Sequence, residues 1–308
     1  MKPRLRMAAI ITACIATPVV VWNHARLFVI LKCLGIAILS LVCRDQIEKS
    51  KADLKSKTTF ITFSKIDKAQ NYAKGEGTKV AVCDWLFDLR GGEASKKYVN
   101  PASMIPGEPV GSDEPWHGEW MSEMVHQTAP ACRIIPIRAI TEQDDYQQYL
   151  VKGIRFAADQ GAVAVTCSLG RLAYSEELRQ AIDYAEAKGT PFINVHPVRN
   201  PAGRAGELDQ KILCTGLISV PWHPALPEAR RDIYIWPYSL ASTYKDGWGF
   251  SDGPPIVAGV VALMKSANPA LRPRELKEII VQTAFTRDGF RVLDAEAALQ
   301  AAIQRKRS

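Results

Sequence analysis

The sequence predicts an α/β fold built on a mostly parallel sheet, on three observations. From Thr78 onward, short β-branched runs alternate with segments of helical spacing, the pattern of parallel strands joined by crossover helices. Two of the helical segments stop at a glycine, Gly161 and Gly189, as helices commonly do. Two strand-like runs end in polar residues, Asp84 and Ser168, at the strand ends where such sheets bind ligands.

The chain has 308 residues, enough for one large domain or two small ones with an ample core. Its 47% hydrophobic and 23% charged content is ordinary for a globular protein. The net charge of +7 is diffuse. No basic stripe interleaves with aromatics, which argues against nucleic acid as a partner. The seven cysteines are odd in number and none has C-x-x-C spacing. That pattern speaks against a zinc site or a dense disulfide framework and for reduced, buried thiols.

The elements follow in order. MKPRLR precedes an apolar run at 7–22, a short NHAR turn and a second apolar run at 27–43. A helix of either run spans about 24–26 Å at about 1.5 Å per residue, slightly short of a bilayer core, with flanking residues able to snorkel. Residues 1–45 are read as a membrane hairpin, or as a signal anchor. In a hairpin, lysine and arginine on both outer flanks place the termini, and the domain that follows, on the cytoplasmic side. Residues 46–77 are charged, weakly patterned and read as a linker. Residues 78–305 are read as the folded domain.

Within that domain KVAVCD (79–84) reads as a strand ending in a carboxylate. HGEWMSEMVHQTAP has Trp120, Met121, Met124 and Val125 at helical spacing. CRIIPIRAI (132–140) reads as a strand, YQQYLVKGIRFAADQG (146–161) as a helix and AVAVTCSLG as the next strand. Leu178, Ile182 and Ala185 mark another helix, and TPFINV another strand. Val257–Lys265, Arg274–Thr283 and Asp294–Ile303 are helical patterns, with Pro273 suited to a first turn.

GWGFSDGPPIVAG (247–259) holds Ser251 in a G-x-S-x-G frame just before a helix start. An α/β-hydrolase elbow would need a histidine after the serine, and none follows Ser251. The order Asp, His, Ser does work: Asp84 at a strand end, His117 at a helix start, Ser251 at another helix start. Serine is a poor nucleophile at neutral pH without an adjacent imidazole base, and the imidazole needs a carboxylate to fix its tautomer. Taken singly, Ser251 reads as a helix N-cap, Asp84 as a loop carboxylate and His117 as a helix-start residue. Their order on these elements favours a catalytic set.

These motifs resemble those of the subtilisin-like serine proteases, over roughly residues 78–305. VAVCD resembles the family's strand-Asp motif, HGEWMSEMVHQTAP its HG helix and Ala-Pro turn, and AVAVTCSLG the strand bordering its substrate cleft. GFSDGPPIVAGVVALM resembles its nucleophile motif, and GFRVLDAEAAL its closing strand and helix. The resemblance implies a subtilisin-like three-layer fold, with Asp84, His117 and Ser251 as the triad and Ser168, Leu169 and Gly170 as the substrate-binding edge. It also implies an oxyanion donor at Asn200, with Asn194 as the alternative. The sequence departs from the family pattern at Trp85-Leu86, Glu119-Trp120, Phe250 and Asp252-Gly253. Asp252 would oppose charge at the nucleophile unless it points into solvent.

The expected activity is serine endopeptidase cleavage through an acyl-enzyme, by a membrane-tethered protein whose peptidase domain is cytoplasmic. Its partners would be protein or peptide substrates, with regulatory cleavage of a specific protein in view. The alternative is a degenerate module that binds peptides or partner proteins without cutting them. No cofactor is implied; relatives bind calcium, but no carboxylate cluster here demands it. The 46–77 linker is too short for a folded inhibitory propeptide, so restraint by location or a partner is expected. Arg199 and Arg204 in the 194–206 loop would favour acidic side chains.

Overall fold

The computed structural model describes residues 60–113, 117–141, 146–168, 172–195, 197–198, 208, 210–217, 231–235, 250–287 and 289–307. The chain divides after Lys57, and the described residues all belong to the second unit. The two apolar runs expected to meet a membrane lie outside them. Among the described residues no helix is long and apolar enough to cross a membrane.

Helices α1 (Phe60–Phe63) and α2 (Ile66–Ala69) come first, within the stretch expected to be linker. Phe60, Ile66 and Ala69 are fully buried, and burying a phenylalanine or isoleucine contributes about 1.5–3 kcal/mol each. Lys65 pairs with Asp294, and Ser64 accepts the Ala295 amide at 2.9 Å. From Phe60 the chain therefore belongs to the folded body. Its charged residues mask a few apolar anchors.

Next come β1 (Lys79–Asp84), α3 (Gly92–Ser95), β2 (Ala102–Ser103), α4 (His117–Thr128), β3 (Arg133–Arg138), α5 (Gln147–Asp159), β4 (Ala164–Cys167), α6 (Glu176–Ala187) and β5 (Phe192–Asn194). After β6 (Leu213–Leu217) and β7 (Ile233–Ile235), a one-turn 3-10 helix, Phe250–Asp252, leads into α7 (Gly253–Ala267). The chain closes with α8 (Pro273–Gln282), β8 (Phe285–Arg287), β9 (Phe290–Val292) and α9 (Ala295–Arg307).

The described strands form one sheet in the order β2-β3-β1-β4-β5-β6-β7-β9-β8. Every pairing is parallel except β8 with β9. In β1 the side chains alternate faces, as a strand requires. Val80 and Val82 join the core beneath α4, α7 and α9, while Ala81 and Cys83 join the core beneath α5 and α6. Two helical layers thus flank the sheet. Helix α7 is buried on every side from Gly253 to Met264, as expected of a segment apolar all round.

This alternation places the site. Asp84 shares parity with Val80 and Val82, so it falls on the α4–α7 face. Ser168 shares parity with Ala164 of the same core and falls on that face too. Asn194 follows Ile193, which joins the α4–α7 core, and shares parity with Phe192, which joins the other.

Candidate active site

Asp84, His117 and Ser251 come from three elements that converge at one end of the sheet. Asp84 ends β1 and is fully buried. His117 begins α4, and both Asp84 carboxylate oxygens lie 2.9 Å from its Nδ1. An ionised carboxylate only accepts, so Nδ1 carries the proton and Nε2 is the basic nitrogen. Asp84 Oδ1 also accepts the Trp85 amide at 2.7 Å. The Trp85 ring stands edge-on to the imidazole, with centroids 5.7 Å apart. The His117 side chain keeps 14% exposure, an opening on an otherwise enclosed ring.

Gly118 makes this approach possible. A Cβ there would stand 2.8 Å from the Leu86 carbonyl oxygen and 2.9 Å from the Phe87 ring. The first turn of α4 can therefore lie against the chain leaving β1 only without a side chain at 118. Glu119, a departure from the family pattern, fastens the same turn. It accepts the Tyr98 hydroxyl at 2.7 Å and the Asp88 amide at 3.2 Å. Burial raises the Glu119 pKa against those two hydrogen bonds.

Ser251 sits in the 3-10 turn ahead of α7, which packs against α4. Its Oγ donates to the Ser168 carbonyl at 3.3 Å, and Ser168 Oγ donates to the Ser251 carbonyl at 2.8 Å. Ser168 thus braces the Ser251 turn with its side chain. Hydrogen bonds between a serine and the base that activates it are often incomplete without substrate.

His117 is raised from its ordinary value. Burial pulls it down, and the Asp84 charge, the Asp84 hydrogen bond and the Asp252 charge together outweigh burial. A base raised in the folded state stabilises the fold fully below its unfolded value, and this contribution fades as pH rises through the folded value. Asp252, half-buried in the Ser251 turn, does not point freely into solvent. Burial pushes its carboxyl up to about 7, and His117 opposes the rise.

Leu169, Gly170, His196, Arg199, Asn200 and Arg204 lie outside the described residues. Asn194 is fully buried. Strand alternation gives it the parity of Phe192, which packs in the α5–α6 core. Among the described residues no group of three or more His, Cys, Asp or Glu is placed to hold a metal ion. The described cysteines Cys83, Cys132, Cys167 and Cys214 are buried free thiols.

Residues 236–304, which include Ser251, match the profile of the subtilase family. The chain is 25% identical to subtilisin DY of Bacillus licheniformis over 249 residues, covering 73% of this chain and 90% of that protein. Among solved structures it resembles MycP1 with its N-terminal propeptide removed, with TM-score 0.61 and 19% identity over 78% of this chain and 95% of that one. It also resembles fervidolysin from Fervidobacterium pennivorans, a keratinolytic enzyme, with TM-score 0.59 and 18% identity. That match covers 76% of this chain and spans 44% of fervidolysin's length.

Proposed function

We propose that this chain, which resembles subtilisin-like serine endopeptidases in sequence and fold, cleaves peptide bonds with Ser251 as nucleophile, His117 as general base and Asp84 as the group that holds His117. The observation that carries this reading is the approach of both Asp84 oxygens to His117 Nδ1, beside a serine at a helix start. His117 Nε2 takes the Ser251 proton as Oγ attacks the scissile carbonyl. The same nitrogen then protonates the leaving amine. Water, deprotonated by His117, hydrolyses the acyl-enzyme in turn. Asp84 keeps the proton on Nδ1 throughout and stabilises the imidazolium.

The Ser251 amide and the Asn200 side chain are the proposed donors to the tetrahedral oxyanion. Losing one such donor typically costs about 100- to 1,000-fold in turnover. Prolines 254 and 255 carry no N–H, so helix α7 supplies fewer amides here than an ordinary helix start. The edge at 168–170 pairs with substrate as an added strand. The apolar runs at 7–22 and 27–43, with basic flanks, tether the enzyme to a membrane with its peptidase domain on the cytoplasmic side. A tethered enzyme meets few substrates, which suits regulatory cleavage of a specific protein.

Digestion of an unfolded protein, such as denatured casein, by the full chain tests this directly. Wild type is expected to release peptides, and Ser251→Ala is expected to fall to background. Equal cleavage by both would contradict the assignment of Ser251. The Ser251 hydroxyl on the Ser168 carbonyl favours a second reading, a peptide-binding module. On that reading both proteins bind the denatured substrate and neither cuts it.

A further inference from the structure

Glu119 stands in the first turn of α4, two residues after His117. Its hydrogen bonds reach out of the helix. Oε2 accepts the Tyr98 hydroxyl, 21 positions away, at 2.7 Å and the Asp88 amide, 31 positions away, at 3.2 Å. Both donors sit on anchored backbone. The chain leaving β1 is bonded to residues 110–112, through the Phe87 amide to the Val110 carbonyl at 3.2 Å and the Ser112 amide to the Phe87 carbonyl at 3.0 Å. Tyr98 lies between Lys97 and Val99, which bond to Ile134 of β3 at 3.0 and 2.8 Å. Burial and the Glu119 charge hold the Tyr98 hydroxyl well above its ordinary value, so it stays a donor.

Segment 84–88 is therefore tied to the first turn of α4 at two points. At one end Asp84 holds His117 Nδ1, and at the other the Asp88 amide holds Glu119. Between them Gly118 lies against the Leu86 carbonyl and the Phe87 ring, a contact about which the turn can tilt. Buried Met121, Met124 and Val125 attach α4 to the core, but apolar contact is non-directional and leaves that tilt open. Hydrogen bonds to a carboxylate are directional and roughly twice as strong as neutral ones.

We propose that Glu119 is a positioning residue for the general base: by holding the Asp88 amide and the Tyr98 hydroxyl, its carboxylate sets the tilt of the first turn of α4 at which His117 Nδ1 meets both oxygens of Asp84. Without Glu119 the Asp84–His117 pair alone resists the tilt, and the imidazole drifts from its carboxylate. The effect on activity rests on the peptidase reading, whereas the placement of His117 against Asp84 does not.

Two readouts on the full chain test this. The first is the resonance of the His117 Nδ1 proton, which its hydrogen bond to Asp84 shifts downfield, observed by NMR of 15N-labelled histidine. The second is the rate of labelling by a fluorophosphonate. Glu119→Ala is expected to move the resonance upfield and to slow labelling by about 10- to 100-fold. Glu119→Gln presents an amide oxygen in place of Oε2 and its NH₂ in place of Oε1, beside Gly92, and should restore both readouts toward wild type. Tyr98→Phe removes one of the two donors and should move both readouts the same way by less; it decides the matter if Glu119→Ala fails to fold. A wild-type resonance in folded Glu119→Ala, or in Tyr98→Phe where Glu119→Ala does not fold, overturns the proposal. So does a Glu119→Gln protein that behaves like Glu119→Ala. A moved resonance without labelling of wild type at any pH would retain the positioning role and remove the peptidase reading.

Discussion

Asp84→Asn is expected to lower kcat by about 10⁴-fold while the domain still folds. Asp84 is fully buried and spends both oxygens on His117 Nδ1, with Oδ1 also accepting the Trp85 amide. An asparagine fits the same space and can still accept that amide. Its NH₂ group, however, would face Nδ1 as a donor and favour the tautomer with the proton on Nε2. The base then has its lone pair on the wrong nitrogen. Steady-state kinetics on a peptide substrate, with a thermal melt as control, would measure this. A loss of less than about tenfold in a well-folded variant would mean that Asp84 does not orient the base.

Gly259→Ala should damage stability and activity together. Its Cβ would stand 2.5 Å from Thr128 Cβ and 2.6 Å from Thr128 Cγ2. Thr128 cannot easily turn aside, since it is fully buried and its hydroxyl donates to the Met124 carbonyl at 2.8 Å. The backbones of α4 and α7 must separate instead. Overpacking of this kind costs about 1–3 kcal/mol, a fall in Tm of about 2–4 °C per kcal/mol at this size. Because α4 begins with His117 and α7 follows Ser251, the same separation moves His117 from Ser251, the proposed base from the proposed nucleophile. A misplacement of about 1 Å can cost on the order of 100-fold in rate. Thr128→Gly in the same chain removes the clashing atoms and should restore part of both losses. A Tm within about 1 °C of wild type would show that the helices have slack at this crossing.

Much of this arrangement was legible in the sequence, for physical reasons that vary by element. KVAVCD is a β-branched run ended by a carboxylate, and the strand spans those six residues. The HG dipeptide marked the start of α4, because only glycine tolerates the contact with Leu86 and Phe87. Strand parity then carried Asp84 and Ser168 to the face that bears His117 and Ser251. The short strands β6 and β7 were not legible: LCTGL and IYI are too brief to show a period. The antiparallel pair β8–β9 turns at Gly289, which has φ of 81°, and only its second strand stood out beforehand. Residues 60–77 hid their packing behind charge, because three buried apolar side chains among many polar ones make no pattern.

The central claim is that Ser251 is activated by His117, and labelling of the full chain by a fluorophosphonate tests it most directly. Wild type should react at one site, mapped by mass spectrometry to the peptide containing Ser251, and both Ser251→Ala and His117→Ala should lose that label. Folded wild-type protein that takes up no label, or labelling that survives in either variant, would contradict it.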